Sequence, residues 1–242
     1  VTPVTEALTT ATNNLVGSAS GDTFTGTFGT GATLTAADTI IDSTTSDADT
    51  LTLTGAAFGN SADTSTATIT NIETVNIVFD TLTAATIDAA GISSASTINA
   101  SNVRAGSGAA LTVTNITDGS TLSISDFNTV TNATADAGGD LTLNANSATT
   151  NVRGTVSTDG VLTVNAAAAT GTVRGDSATG DVTINGAAAT VLTANSTSGD
   201  ITVTGAANAN VDAVSTAAGN ITVTTALADD VVATTTGAGT VT

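Results

Sequence analysis

From Asp140 to Thr242 short aliphatic–threonine–aliphatic triplets alternate with polar turns. The triplets are Leu141-Thr142-Leu143, Leu162-Thr163-Val164, Val182-Thr183-Ile184, Ile201-Thr202-Val203 and Ile221-Thr222-Val223. In an extended strand successive side chains point to opposite faces. Both aliphatics of a triplet therefore share one face, and the threonine takes the other. A second apolar spot follows in each unit: Val152, Val173, Val191 with Leu192, Val211 with Val214, and Val231 with Val232. A glycine closes every unit, at positions 139, 160, 180, 199, 219 and 239, in steps of 21, 20, 19, 20 and 20 residues.

A fixed period of this length marks a solenoid. One coil cannot bury its aliphatic face alone, whereas stacked coils bury a continuous core. Threonine, valine, asparagine and glycine are poor helix formers, and β-branched residues suit strands. The pattern predicts an all-β fold: a β-solenoid, or parallel β-helix, with about 20-residue coils and two short strands per coil.

Residues 17–119 have a different texture. LTLTG, ATITNIETVNIVF, TIDAAGIS, TINASNV and LTVTNITDGS supply strand-and-turn units at uneven spacing. All five phenylalanines, Phe24, Phe28, Phe58, Phe79 and Phe127, precede the regular repeats. This half is expected to be a wider or less regular solenoid. Residues 1–16 read as a short entry strand or an N-terminal arm or cap, with some helical spacing over Thr5 to Leu15. Residues 120–242 form the regular solenoid, continuing one rod. About twelve coils at about 4.8 Å would give a rod on the order of 55–60 Å long. The last residues, Thr240-Val241-Thr242, resemble the opening of another coil, as expected of a fragment or a processed chain.

Charge narrows the partners. The net charge is −18, from 21 acidic residues against three arginines and no lysine. Nucleic-acid binding needs a basic footprint, which is missing. No apolar run is long enough to span a membrane. Self-repulsion at this charge calls for salt or bound cations. Histidine and cysteine are absent, which removes the usual general base, thiol nucleophile and zinc ligands. No enzyme is expected.

The runs GSASGDTFTG, LTAADTIIDSTTSDADTLTLTG, ITNIETVNI, TIDAAGIS and TINAS, within roughly residues 9–115, resemble bacterial surface-layer (S-layer) proteins. They are also similar to type-I-secreted surface proteins of the RTX kind. The resemblance implies a secreted, extracellular structural protein of the cell surface that self-assembles into a lattice or filament. It implies calcium as a cofactor, the chain itself as partner, and cell-surface polysaccharide as a further partner through another region. Against the RTX nonapeptide G-G-x-G-x-D-x-U-x, Gly17, Asp22 and Phe24 match, while Ser18 and Ser20 replace glycines. In a second copy Asp49 and Leu51 match, but Thr44, Thr45 and Asp47 stand at the glycine positions. Those glycines permit the tight turn that presents carbonyls to calcium. A stalk segment of a secreted adhesin is the alternative reading.

Calcium takes six to eight oxygen ligands. The densest oxygen cluster is Asp38, Asp42, Asp47 and Asp49, with Asp22 as an outlier. A second column, Asp140, Asp181 and Asp200 with Asn220 next and Val161 interrupting, falls at the coil corner, where turn chemistry alone favours Asp and Asn. The outward pairs Thr142/Asn144, Thr163/Asn165, Thr183/Asn185, Thr202/Thr204 and Thr222/Thr224 form a polar array that resembles ice-binding solenoids, a third reading. Arg153 and Arg174 lie one coil apart and are expected to stack, pairing like Arg104 with acidic side chains.

Overall fold

The computed structural model describes residues 2–56, 59–104, 108–135, 139–205, 209–226 and 230–242. Among these residues no helix occurs, and hence none long and apolar enough to cross a membrane. The strands form three parallel sheets stacked as a β-solenoid. Eleven strands, from Thr5–Ala7 to Ile221–Thr225, make the first sheet; nine, from Ser61–Asp63 to Asp230–Thr235, make the second. The third holds Asn14–Val16, Thr39–Ile41 and Thr68–Thr70, and Ile69 bridges onward to Ile92. Eleven stacked strands give a rod about 50 Å long, slightly shorter than the repeat count suggests.

Register explains the change in texture along the chain. In the first sheet Thr23 pairs with Thr50, 27 residues on, and Thr50 with Thr74, 24 residues on. Late in the chain Thr163 pairs with Thr183 and Thr202 with Thr222, each 20 residues on. The early coils are longer because the chain also visits the third sheet. Larger side chains fill this wider interior. Phe24, Phe28, Phe79 and Phe127 are buried. Phe28 meets Phe79 edge-on at 5.0 Å, and Phe79 meets Phe127 at 5.7 Å, contacts worth about 0.5–1.5 kcal/mol each beyond area burial. Phe58 lies outside the described residues. In the narrow coils small aliphatics suffice: Leu162, Val164, Val182, Ile184 and Val203 have no exposed surface.

The opening segment forms strands, in line with the entry-strand reading, and not a helix. Thr5–Ala7 pairs with Thr23–Thr25, and Asn14–Val16 with Thr39–Ile41. Residues 5–16 therefore supply strands of the first coil, and the helical spacing there is unused. Sheet pairing decides this, because the next coil offers a complete hydrogen-bonding edge to a segment too short to form a stable helix alone.

The repeat-closing glycines stack at one corner. A β-carbon on Gly180 would lie 2.1 Å from the carbonyl oxygen of Gly160, and one on Gly199 would lie 2.2 Å from that of Gly180. Gly160, Gly219 and Gly239 repeat this at 2.0–2.2 Å. Backbone rests on backbone here, so no side chain fits. Gly180→Ala is predicted to cost about 1–3 kcal/mol through overpacking and to lower Tm by several degrees. Calorimetry checks this; an unchanged Tm would mean that the corner can open without loss.

Candidate metal centre

Register also places the acids. The threonines Thr23, Thr50, Thr74, Thr97 and Thr121 are paired in line on the first sheet. The residue before each occupies one column: Asp22, Asp49, Glu73, Ser96 and Ser120. Ser120 pairs with Leu141, which continues the column through Leu162, Val182, Ile201 and Ile221. The column is buried at Asp22, Asp49 and Ser120, half-buried at Glu73 and exposed at Ser96, and it faces the core in the later coils. Later coils fill it with aliphatics, and early coils fill it with carboxylates. Asp42 joins from the third sheet, directly after Ile41, and Asp47 from the turn between them.

The result is a buried acidic centre. Asp22 and Asp42 are each 1% exposed and Asp49 is fully buried. Their carboxylate oxygens lie within 4.8 Å of one another, and Asp47, Asp49 and Glu73 form an overlapping group on the same criterion. Part of each carboxylate is used for structure. Asp22 accepts from the Val4 amide at 2.5 Å, and from the Ser18 amide and hydroxyl. Asp49 Oδ1 accepts from the Asp22 amide at 2.6 Å, and Glu73 accepts from the Asp49 amide at 2.9 Å. Asp42 Oδ2 accepts from the Thr44 amide at 2.5 Å, while the Thr44 hydroxyl donates to Asp47 Oδ1. The other oxygens, Asp42 Oδ1, Asp47 Oδ2 and Asp49 Oδ2, are buried without a hydrogen-bond partner.

Gly17 makes room for this centre. A β-carbon there would lie 2.2 Å from Asp42 Oδ1 and 2.6 Å from Asp22 Oδ2. The glycine of the RTX-like run is thus needed for close approach of two carboxylates to backbone. Electrostatics separates the acids. Burial pushes Asp49 up to about 6, aided by the charges of Asp42, Asp47 and Glu73 and opposed by the Asp22 amide. For Asp22 burial acts upward too, but the amide and hydroxyl donors of Val4 and Ser18 hold it below the usual carboxylate range.

Of the five predicted residues, the fold unites Asp22, Asp42, Asp47 and Asp49. Asp38 stands apart, at the far end of the strand Thr39–Ile41 from Asp42. Its carboxylate is taken by the Asn13 amide at 2.7 Å and the Thr35 amide at 2.6 Å, which outweigh burial and lower its pKa. Glu73 was not among the predicted ligands, though it carries a readable signal: Asp22-Thr23-Phe24, Asp49-Thr50-Leu51 and Glu73-Thr74-Val75 share one acid–threonine–apolar pattern.

The corner column behaves differently. Asp140 accepts from the Val161 amide, Asp181 from the Asp200 amide and Asp200 from the Asn220 amide, each at 2.7 Å. These acids are exposed, and each ties the next coil's backbone, which is turn chemistry. Arg153 and Arg174 do pair in register. Both grip Asp176 Oδ2, at 3.1 Å and 2.6 Å. Burial acts upward on Asp176, but these contacts and the Asn195 amide lower its pKa. Arg104 pairs with Asp80.

Bare, buried carboxylate oxygens without a cation are costly. Their chemistry suits a hard cation. Oxygens within 4.8 Å of one another fit across a calcium sphere of about 4.6–5.2 Å, twice the usual Ca–O distance. Asp22, Asp42 and Asp49 would hold it, with Asp47 and Glu73 beside them. Calcium would supply charge neutralisation there and no reaction. Neither a protein-family model nor a curated protein sequence matches this chain.

In chelator, the raised Asp49 pKa makes its contribution fully present below about 3.8 and lost as pH rises through about 6. Relative to Asp49→Asn, the chelated wild type should therefore lose Tm between pH 4 and 7. Calcium at about 100 times its Kd should restore about 2.7 kcal/mol, a rise of about 5–10 °C, in wild type and much less in Asp49→Asn. A Tm difference flat with pH, or equal calcium responses, would refute the assignment.

Proposed function

We propose that this chain is an extracellular structural protein that assembles with itself into a surface layer or filament and binds calcium at Asp22, Asp42 and Asp49. One observation carries the reading: three buried carboxylate oxygens lack any partner in a centre that ties the first coils together. Such a centre suits a chain that meets calcium only outside the cell, where structural modules bind it at about 0.1–1 mM. The stacked coils, all parallel and without helix among the described residues, support a spacer or scaffold, and the S-layer and RTX resemblance points the same way. Cell-surface polysaccharide remains a partner for another region of a longer chain.

Calcium in the centre neutralises the early coils and secures their stacking through Val4, Asp22, Asp49 and Glu73. Self-assembly then depends on calcium through the order of the first coils. Negative-stain microscopy of the purified chain in millimolar calcium, then in chelator, tests this. Sheets or filaments that dissolve on chelation are expected. Assemblies indifferent to chelator would remove calcium from the reading. Single rods in both conditions would overturn self-assembly and favour an adhesin stalk.

A further inference from the structure

The two large sheets of this solenoid carry charge very differently. On the nine-stranded sheet the outward positions include Asp63, Asp88, Arg153, Arg174, Asp176 and Asp212. On the eleven-stranded sheet two outward columns contain no charged residue. The first is threonine in every strand, from Thr5 and Thr23 through Thr121 to Thr202 and Thr222. The second starts at Ala7 and is threonine, asparagine or serine thereafter, including Asn76, Asn99, Asn165 and Asn185. The asparagines hydrogen-bond along the stack: Asn99 to Asn76 at 2.9 Å, Asn165 to Asn144 at 2.8 Å and Asn185 to Asn165 at 2.7 Å.

We propose that this threonine–asparagine face is the surface through which two copies of the chain meet. Three arguments favour a second copy as the occupant. First, chains of net charge −18 repel one another, and this face lets them approach with no charges opposed at its centre. Second, a surface that meets its own copy must be self-complementary. Threonine and asparagine each donate and accept, so this face can satisfy itself at any shift of one strand spacing. Third, the area suffices. Eleven strands at about 4.8 Å, over a strip roughly 10 Å wide, bury on the order of 1,000 Å² when two copies meet, the lower bound for a specific interface. The exposed acids Asp140, Asp181 and Asp200 sit at the corner beside the face and form a charged rim.

The inference rests on the self-assembly reading above, and the experiment separates the two. Thr163→Glu with Thr183→Glu places two like charges in the threonine column, on the eighth and ninth of its eleven strands. Thr193→Glu, on the nine-stranded sheet, is the control. Sedimentation velocity in millimolar calcium should show association weakened at least tenfold by the double substitution and unchanged by the control, with Tm alike in both. Because the chain has no cysteine, Thr163→Cys offers a second readout free of added charge: it should form disulfide-linked dimers, and Thr193→Cys should not. Wild-type assembly that survives the double substitution, with no Thr163→Cys dimer, would overturn this interface and leave self-assembly standing. A wild type that stays monomeric would overturn both. Loss of ice-crystal shaping in the double variant, with assembly intact, would assign the face to ice instead.

Discussion

On the eleven-stranded sheet every strand sits one strand spacing from the next, in register. That constraint governs the rest. A residue's neighbours on that sheet are the paired residues one coil before and one coil after it, so each side chain must suit those above and below. The threonine column of the first sheet and the glycine corner are both products of it. The glycine corner is the more demanding, because backbone carbonyls come so close to the next coil that a β-carbon has no place.

The acidic centre comes from the same constraint applied to ill-suited residues. Asp22, Asp49 and Glu73 occupy a core column that holds Leu162, Val182 and Ile201 further along. Stacking forces them together, and amides from neighbouring coils bind part of each carboxylate. Oxygens of Asp42, Asp47 and Asp49 are left bare, and Gly17 leaves room for the Asp42 and Asp22 carboxylates beside the backbone. An aliphatic column would be the simpler way to stabilise these coils. On the calcium reading proposed above, the carboxylates are a device that holds the first coils firmly with a cation bound and weakly without one.

Charge follows sheet identity as well. The chain carries many acids, yet the threonine–asparagine columns of one sheet carry none, while the opposite sheet mixes Asp176 with Arg153 and Arg174. A partition of this kind gives a thin rod two distinct sides. It also separates the buried acidic centre of the first coils from the uncharged outer face of the eleven-stranded sheet.

The alternation of aliphatic and threonine, with glycine at each turn, determined the solenoid, because strand pleating converts alternation directly into an inner and an outer face. It also determined the wider first half, because phenylalanines need a broader interior. Most of the acidic centre was visible as a local density of aspartates. Tertiary structure alone decided that Asp38 stands outside it and Glu73 within it. Sequence distance misled in both cases: Asp38 is near Asp42 along the chain but a full strand away in space, whereas Glu73 lies 24 residues beyond Asp49 and one coil above it. In a solenoid the neighbours that matter are a coil apart, and coil length is set only when the chain has chosen how many sheets to visit.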